Sequence, residues 1–263
     1  MLKKAHPLLV VLVGYIFLEL FKSIQLVSLL IHTDFSSTFF GYLSLIMVIA
    51  LCAYLVYYFI KCHSVGEFLI VSKEEKRISL IVLGLVFVST VIVINLAYFS
   101  STISNFHIYT LNVRKVPLSL HFLIFSLICS PIFEEILFRG VLQKYLSTII
   151  KNPIIPIVLT SIVFSMGHLQ FAKVPFYFLC GFLNGCIYYK TQKIIIPIIA
   201  HAFWNLLNVI FIMDLQPMSR GNSLVFLIFI IIFVILANLL YKYERVENDL
   251  HVINSTDNND SVK

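Results

Sequence analysis

Apolar residues come in long blocks separated by short polar or charged interruptions, at 7–31, 39–61, 79–98, 118–143, 154–171, 175–189, 194–213 and 223–241. Apart from the short block at 175–189, each approaches the ~20 residues an α-helix needs to cross a bilayer. The pattern predicts an all-α, polytopic membrane helix bundle of about eight transmembrane helices. The first block could be mistaken for a signal peptide, but it is too long, carries Glu19 and Lys22, and lacks a small-x-small cleavage site. Those two charges, three apart, are expected to pair with each other. Residues 63–78 are mixed and charged, which suggests an interfacial helix or loop, and 100–117 is a polar excursion. From about residue 244 the tail is rich in Asn, Asp and Ser and is expected to be disordered. Three regions follow: 1–117 as an N-terminal membrane region, 118–213 as the core, and 214–263 as the last span and tail.

Composition strengthens this picture. The chain is 60% hydrophobic and 12% charged, with a mean hydropathy of +0.97, which excludes a soluble domain with a large core. With the N-terminus inside, the segments on the cytoplasmic side hold thirteen of the 19 basic residues, against four on the other side and two within spans. The positive-inside rule therefore puts both termini in the cytoplasm. No basic stripe is interleaved with aromatics, so nucleic acid is not an expected partner. Cys52, Cys62, Cys129, Cys180 and Cys186 lie in or beside apolar runs without a CxxC pair. They read as small buried hydrophobes rather than a disulfide framework or a zinc-cysteine site.

The chemistry concentrates in Pro131-Ile-Phe-Glu134-Glu135-Ile-Leu-Phe-Arg139-Gly140, inside the fourth block. A charge at bilayer depth costs ~2.5–3.5 kcal/mol or more, so its default reading is functional. Glu135 and Arg139 are four apart, with the acid N-terminal to the base, the favourable order for an ion pair. Glu134 lies ~100° round the helix and cannot share that arginine. One carboxylate is neutralised; the other, lacking a local partner, is the candidate general base.

Two later blocks carry polar groups at helical spacing: Phe164-Ser-Met-Gly-His168, and His201-Ala-Phe-Trp-Asn205 with Asn208 close to the same stripe. Counted from Lys144, Lys193 and Pro156, Glu134, His201 and His168 fall at depths of roughly 15, 12 and 18 Å. The three can meet in the membrane, although a helix beginning at Pro153 would set His168 too high. Alone, an intramembrane histidine or asparagine often only bonds a neighbouring helix. Gly181-Phe-Leu-Asn184-Gly185 is a small-xxx-small pattern for close packing, with Asn184 as interhelical glue. The other histidines, His6, His32, His63, His107, His121 and His251, are terminal, in loops or at span ends, where solvated or interfacial positions are expected.

In this order, Glu134-Glu135-xxx-Arg139, Phe164-xxx-His168 and His201-xxx-Asn205 resemble the three motifs of the CPBP family, the CaaX-protease and bacteriocin-processing (Abi-type) intramembrane proteases. The flanks EEILFRGVLQKYL and GFLNGCIYYKTQKIIIPIIAHAFWNLLN are also similar to the family's. The resemblance covers roughly 118–213. It implies a cytosol-facing cavity and hydrolysis of a peptide bond in a membrane-associated protein or peptide. Glu134 and His168 would activate water, His201 and Asn205 would stabilise the oxyanion, and Glu135 with Arg139 would hold the site helix. Phe164 would support His168. A divalent metal such as zinc on Glu134, His168 and His201 remains open, since those residue types are competent ligands but no HExxH is present.

Two other classes compete with an endopeptidase: a non-catalytic membrane scaffold or bacteriocin-immunity protein that binds a peptide or signalling partner, and a proton-coupled transporter. The transporter has no broken-helix repeat to support it. A short Ile/Lys/Asn-rich chain without an added domain suggests a bacterial plasma-membrane protein acting on a hydrophobic or membrane-associated peptide.

Overall fold

The computed structural model describes residues 9, 13, 14, 16, 20, 34–62, 72–104, 120–168, 174–214 and 223–242. Their architecture is helical, without strands. Seven helices follow in order: α1 Asp34–Cys62, α2 Lys73–Ser104, α3 Leu120–Ile149, α4 Ile154–Gly167, α5 Val174–Thr191, α6 Ile195–Asp214 and α7 Ser223–Lys242. Among the described residues, α3 is the helix long and apolar enough throughout to cross a membrane; shorter apolar stretches occupy 41–57, 154–167, 195–210 and 227–242. Of the first apolar block, Leu9, Val13, Gly14, Ile16 and Leu20 are described and helical. The expected Glu19–Lys22 pair, residues 105–117 of the excursion expected at 100–117, and the tail from residue 243 lie outside the described residues.

The faces turned away from the bundle are apolar. Ile46 and Met47 on α1, Leu80 on α2, and Ile231, Val234 and Ile235 on α7 are all exposed. So much exposed aliphatic surface suits a lipid solvent and not water.

Helix α2 corrects one expectation: residues 100–104, read as the start of a polar excursion, are its last turn. Its charged start, Lys73 to Ile78, is helical, one of the two forms expected there. Ser72 and Glu75 form a capping box: the Glu75 N–H donates to Ser72 Oγ at 3.1 Å, and the Ser72 N–H to Glu75 Oε2 at 2.6 Å. Two otherwise orphaned backbone donors are satisfied, which lets the helix begin in polar sequence. His121 is a second correction. It is buried at the start of α3, its ring 5.3 Å from that of Tyr42 and tight against Gly41.

Helix α3 is irregular. Two π-helical stretches, Phe125–Cys129 and Ile136–Gln143, flank the α-helical Ser130–Glu135. Such wider turns are uncommon and concentrate at functional sites. One apolar cluster joins α1 to α3 through Leu45, Val48, Phe125, Phe133 and Leu137. A second joins α2, α5 and α6 through Val82, Val86, Phe176, Leu183 and Trp204. Buried polar groups fill the seam where α3 meets α5 and α6.

The small-xxx-small pattern on α5 does bring helices close. A Cβ at Gly181 would stand 3.2 Å from the Ser161 Cα, and one at Gly185 2.9 Å from Ile157 Cγ2. Only hydrogen at these positions lets α5 approach α4 so closely. Cys52, Cys129 and Cys180 are buried free thiols and Cys186 is half-buried, as their apolar neighbours suggested.

Candidate active site

Helices α3, α4 and α6 bring the predicted residues together. Glu134 lies 15 residues before the end of α3 at Ile149, and His168 lies 14 after the start of α4 at Ile154. At ~1.5 Å per residue these antiparallel distances match to within a residue. The histidine therefore reaches the glutamate even though α4 starts directly after Pro153. The depth objection fails because α3 runs on beyond Gln143, which moves the reference level.

Glu134 is buried. Its Oε2 faces two imidazoles, with His168 Nε2 at 3.8 Å and His201 Nε2 at 3.9 Å. Its Oε1 accepts a hydrogen bond from Ser130 Oγ at 2.5 Å. The expectation that Glu134 lacks a local partner is thereby corrected: the serine one turn earlier supplies one.

The far sides of both rings are bonded. His168 Nδ1 lies 2.8 Å from the Phe164 carbonyl. A carbonyl only accepts, so Nδ1 carries the proton and a neutral His168 presents a lone pair from Nε2 toward Glu134. The ring also caps the last turn of α4, where carbonyls lack intrahelical donors. His201 Nδ1 lies 2.7 Å from Glu135 Oε1, which fixes the same tautomer when the ring is neutral. A proton on Nε2 would make His201 a hydrogen-bond donor toward Glu134.

Glu135 is more than the partner of Arg139. Its Oε1 accepts from Arg139 Nη1 at 3.0 Å, from Asn184 Nδ2 at 3.2 Å and from His201 Nδ1. The expected ion pair is present and fully buried, and Asn184 is interhelical glue as its pattern suggested. Arg139 Nη2 donates to the Gly181 carbonyl at 2.7 Å, and its guanidinium lies 5.0 Å from the centre of the Phe164 ring. One turn on, Gln143 Nε2 repeats the contact with the Gly185 carbonyl at 3.0 Å. The two glycines thus give α4 its close approach on one side and leave their carbonyls to α3 on the other.

Phe164 is a buried aromatic platform. Its ring meets His168 at 4.8 Å, His201 at 5.7 Å and Phe138 at 5.3 Å, each edge-on. Tyr177 stacks on the His168 ring, 4.0 Å away at 21°.

Asn205 stands one turn beyond His201, and its Nδ2 donates to the Ser126 carbonyl at 2.8 Å. The local sequence explains why that carbonyl needs a donor. In the first π stretch the Ser130 N–H bonds to Phe125, five residues back. The next donor in that register, for Ser126, would be residue 131, which is proline and has no N–H. The asparagine amide replaces the missing bond and leaves its second N–H for another acceptor.

The donor set does not fit a zinc ion as it stands. Tetrahedral ligands at ~2.0–2.1 Å lie ~3.3 Å from one another, whereas Glu134 Oε2 is 3.8 and 3.9 Å from the two imidazole nitrogens. Among the described residues no three His, Cys, Asp or Glu side chains are grouped to hold a metal.

Sequence reasoning missed Ser130, Tyr177 and Gln143. Ser130 and Gln143 were accessible signals, each four residues from a charged group of the motif on the same helix. Tyr177 carries no such signal, because its partner lies on another helix.

Residues 116–207 match a family model described as type II CAAX prenyl endopeptidase, Rce1-like. The chain is 34% identical over 103 residues to the membrane-embedded CAAX protease MroQ of Staphylococcus aureus (strain USA300), covering 37% of this chain and 40% of that protein. It is 32% identical over 110 residues to YdiL of Bacillus subtilis (strain 168), a candidate membrane peptidase by its name, covering 41% and 42%. The chain thus spans about two fifths of the length of these curated relatives. No solved structure matches it. The family resemblance carried by the three motifs is borne out.

Proposed function

We propose that this chain, Rce1-like over residues 116–207, is an intramembrane endopeptidase that hydrolyses a peptide bond in a hydrophobic or membrane-associated protein or peptide. The observation that carries the reading is the buried Glu134 Oε2 facing imidazole nitrogens from two other helices at 3.8 and 3.9 Å.

In this mechanism a water sits between Glu134 Oε2 and His168 Nε2. These basic atoms take its proton as its oxygen adds to the substrate carbonyl carbon. The carbonyl electrons move to oxygen, and the oxyanion is met by protonated His201 Nε2 and the second N–H of Asn205. Glu135 holds His201 oriented through the contact at Nδ1. When the intermediate collapses, the C–N bond breaks and the proton passes to the leaving amine. The products are a carboxylic acid and an amine, and transfer of the acid's proton leaves a carboxylate and an ammonium. Because the site lies within a seam of apolar helices, charge–charge interactions there act through a lower dielectric than in water.

The finer assignments belong to the same proposal: about eight spans, both termini cytoplasmic, a cavity opening toward the cytosol of a bacterial cell, and 118–213 as the catalytic core. The relatives' names support a membrane protease, and the apolar surroundings suit a lipid-anchored or hydrophobic segment.

The test is cleavage by detergent-purified protein of farnesylated CaaX-type and unmodified hydrophobic peptides, read by mass spectrometry. Wild type and Glu134→Gln run in parallel, with the same variant assayed in cells. Product from wild type and none from Glu134→Gln supports the protease. Full biological function in Glu134→Gln would leave a peptide-binding scaffold instead.

A further inference from the structure

We propose that Ser130 is a positioning residue for Glu134, a role that rests on the endopeptidase reading of the site. A carboxylate that acts as a base must present one oxygen to the water and hold still. Rotation about its terminal torsion is broad and roughly two-fold, so packing alone does not select the oxygen. In this site the choice is made by a hydrogen bond. Ser130 Oγ donates to Oε1 at 2.5 Å, which leaves Oε2 turned to the imidazoles.

The serine is itself held. It is buried and follows directly on the π stretch Phe125–Cys129, and two neighbouring helices grip that stretch. Asn205 of α6 donates to the Ser126 carbonyl at 2.8 Å, and the Cys52 thiol of α1 to the Cys129 carbonyl at 3.4 Å. The register beginning at Ser130 is therefore fixed from both sides. The hydroxyl stands one α-helical turn before Glu134, on the same face. Any wander of this segment would carry the base away from His168 and His201.

A hydroxyl is suited to this task. It is a neutral donor, so it orients the Glu134 carboxylate without adding a cation beside it. A buried hydrogen bond to a charged group is also among the stronger neutral contributions. Its loss should fall on the chemical step and spare substrate binding, because no substrate contact is involved.

The experiment compares wild type, Ser130→Ala and Ser130→Thr in nanodiscs. The Glu134 carboxyl band is isolated as the infrared difference between wild type and Glu134→Gln. That band should move in Ser130→Ala and stay in place in Ser130→Thr. Turnover of a farnesylated CaaX-type peptide should show kcat lowered about 10- to 100-fold in Ser130→Ala with KM unchanged. Ser130→Thr should recover most of it. Thermal unfolding of each variant separates a folding defect from this effect. An unmoved band in folded Ser130→Ala overturns the proposal, as does unaltered kcat in a protein that cleaves. Absence of cleavage by wild type would overturn the endopeptidase reading and the catalytic service of Ser130 with it. The band would still decide whether the Ser130–Glu134 contact itself exists.

Discussion

Glu135 Oε1 lies 2.7 Å from His201 Nδ1 and 3.0 Å from Arg139 Nη1, so one buried oxygen serves both an ion pair and an imidazole. The adjacent carboxylates therefore differ in kind. Glu134 faces the two imidazoles, where the proposed reaction would take place, while Glu135 faces the scaffold and would act on that chemistry only through His201. Their variants should separate accordingly.

Glu134→Gln keeps the volume of the side chain and should abolish measurable cleavage, a loss of at least about 100-fold, with little change in thermal stability. Glu135→Gln should lose activity and stability together. Removing one member of a buried ion pair leaves an uncompensated guanidinium, at a cost of about 3–5 kcal/mol. Unfolding of the two variants in the same detergent checks this; equal stabilities would contradict the division of roles.

The glycines of α5 make a prediction about packing. A Cβ at Gly181 meets the Phe164 ring at 3.1 Å and Ser161 backbone at 3.2 Å, and backbone cannot yield as a flexible side chain can. Gly181→Ala should destabilise by about 1–3 kcal/mol. It should also depress turnover, since Phe164 lies under both histidines. Gly185→Ala meets Ile157 and Gln143 side chains instead and should be milder in activity. Melting temperature and turnover, measured on both variants, test the order.

Asn205→Ala removes the donor that replaces the missing N–H of Pro131. The contact is only partly buried, so losing the donor should lower stability by about 1 kcal/mol along with cleavage. A variant that is inactive but as stable as wild type would assign Asn205 to the oxyanion alone.

His168 stacks on Tyr177. Tyr177→Phe keeps the ring and should retain turnover within about threefold, whereas Tyr177→Leu should lose roughly 10-fold as the imidazole gains freedom. Steady-state kinetics on the pair distinguishes ring stacking from a role for the hydroxyl.

The spacing of Glu134 Oε2 from the imidazoles is too wide for tetrahedral zinc, and the proposed water activation needs no metal. Cleavage should survive a membrane-permeant chelator, with elemental analysis of the purified protein as the control. Loss of activity on chelation, restored by zinc, would require the three side chains to close on a metal.

Much of this was legible in one dimension. Blocks of apolar sequence mark helices because no other open structure satisfies its own backbone in lipid. The i,i+4 spacing of Glu135 and Arg139 announces a pair that the fold keeps. Helical depth allowed Glu134, His168 and His201 to meet, but the match for His168 needed the extension of α3 to Ile149 that the structure shows. The glycines of α5 and the amide of Asn184 were readable as a packing face, because small residues in lipid-buried helices have few other uses.

Other features depended on neighbours that sequence distance hides. That Glu135 holds His201, that Tyr177 covers His168 and that Asn205 repairs the turn before Pro131 each join residues on different helices. The π stretches of α3 leave no simple mark in composition, yet they set the register from which Ser130 reaches Glu134. Periodicity determines which face of a helix a residue occupies and at what depth. Which partner meets that face depends on how the helices are rotated and pressed together, and only tertiary packing decides that.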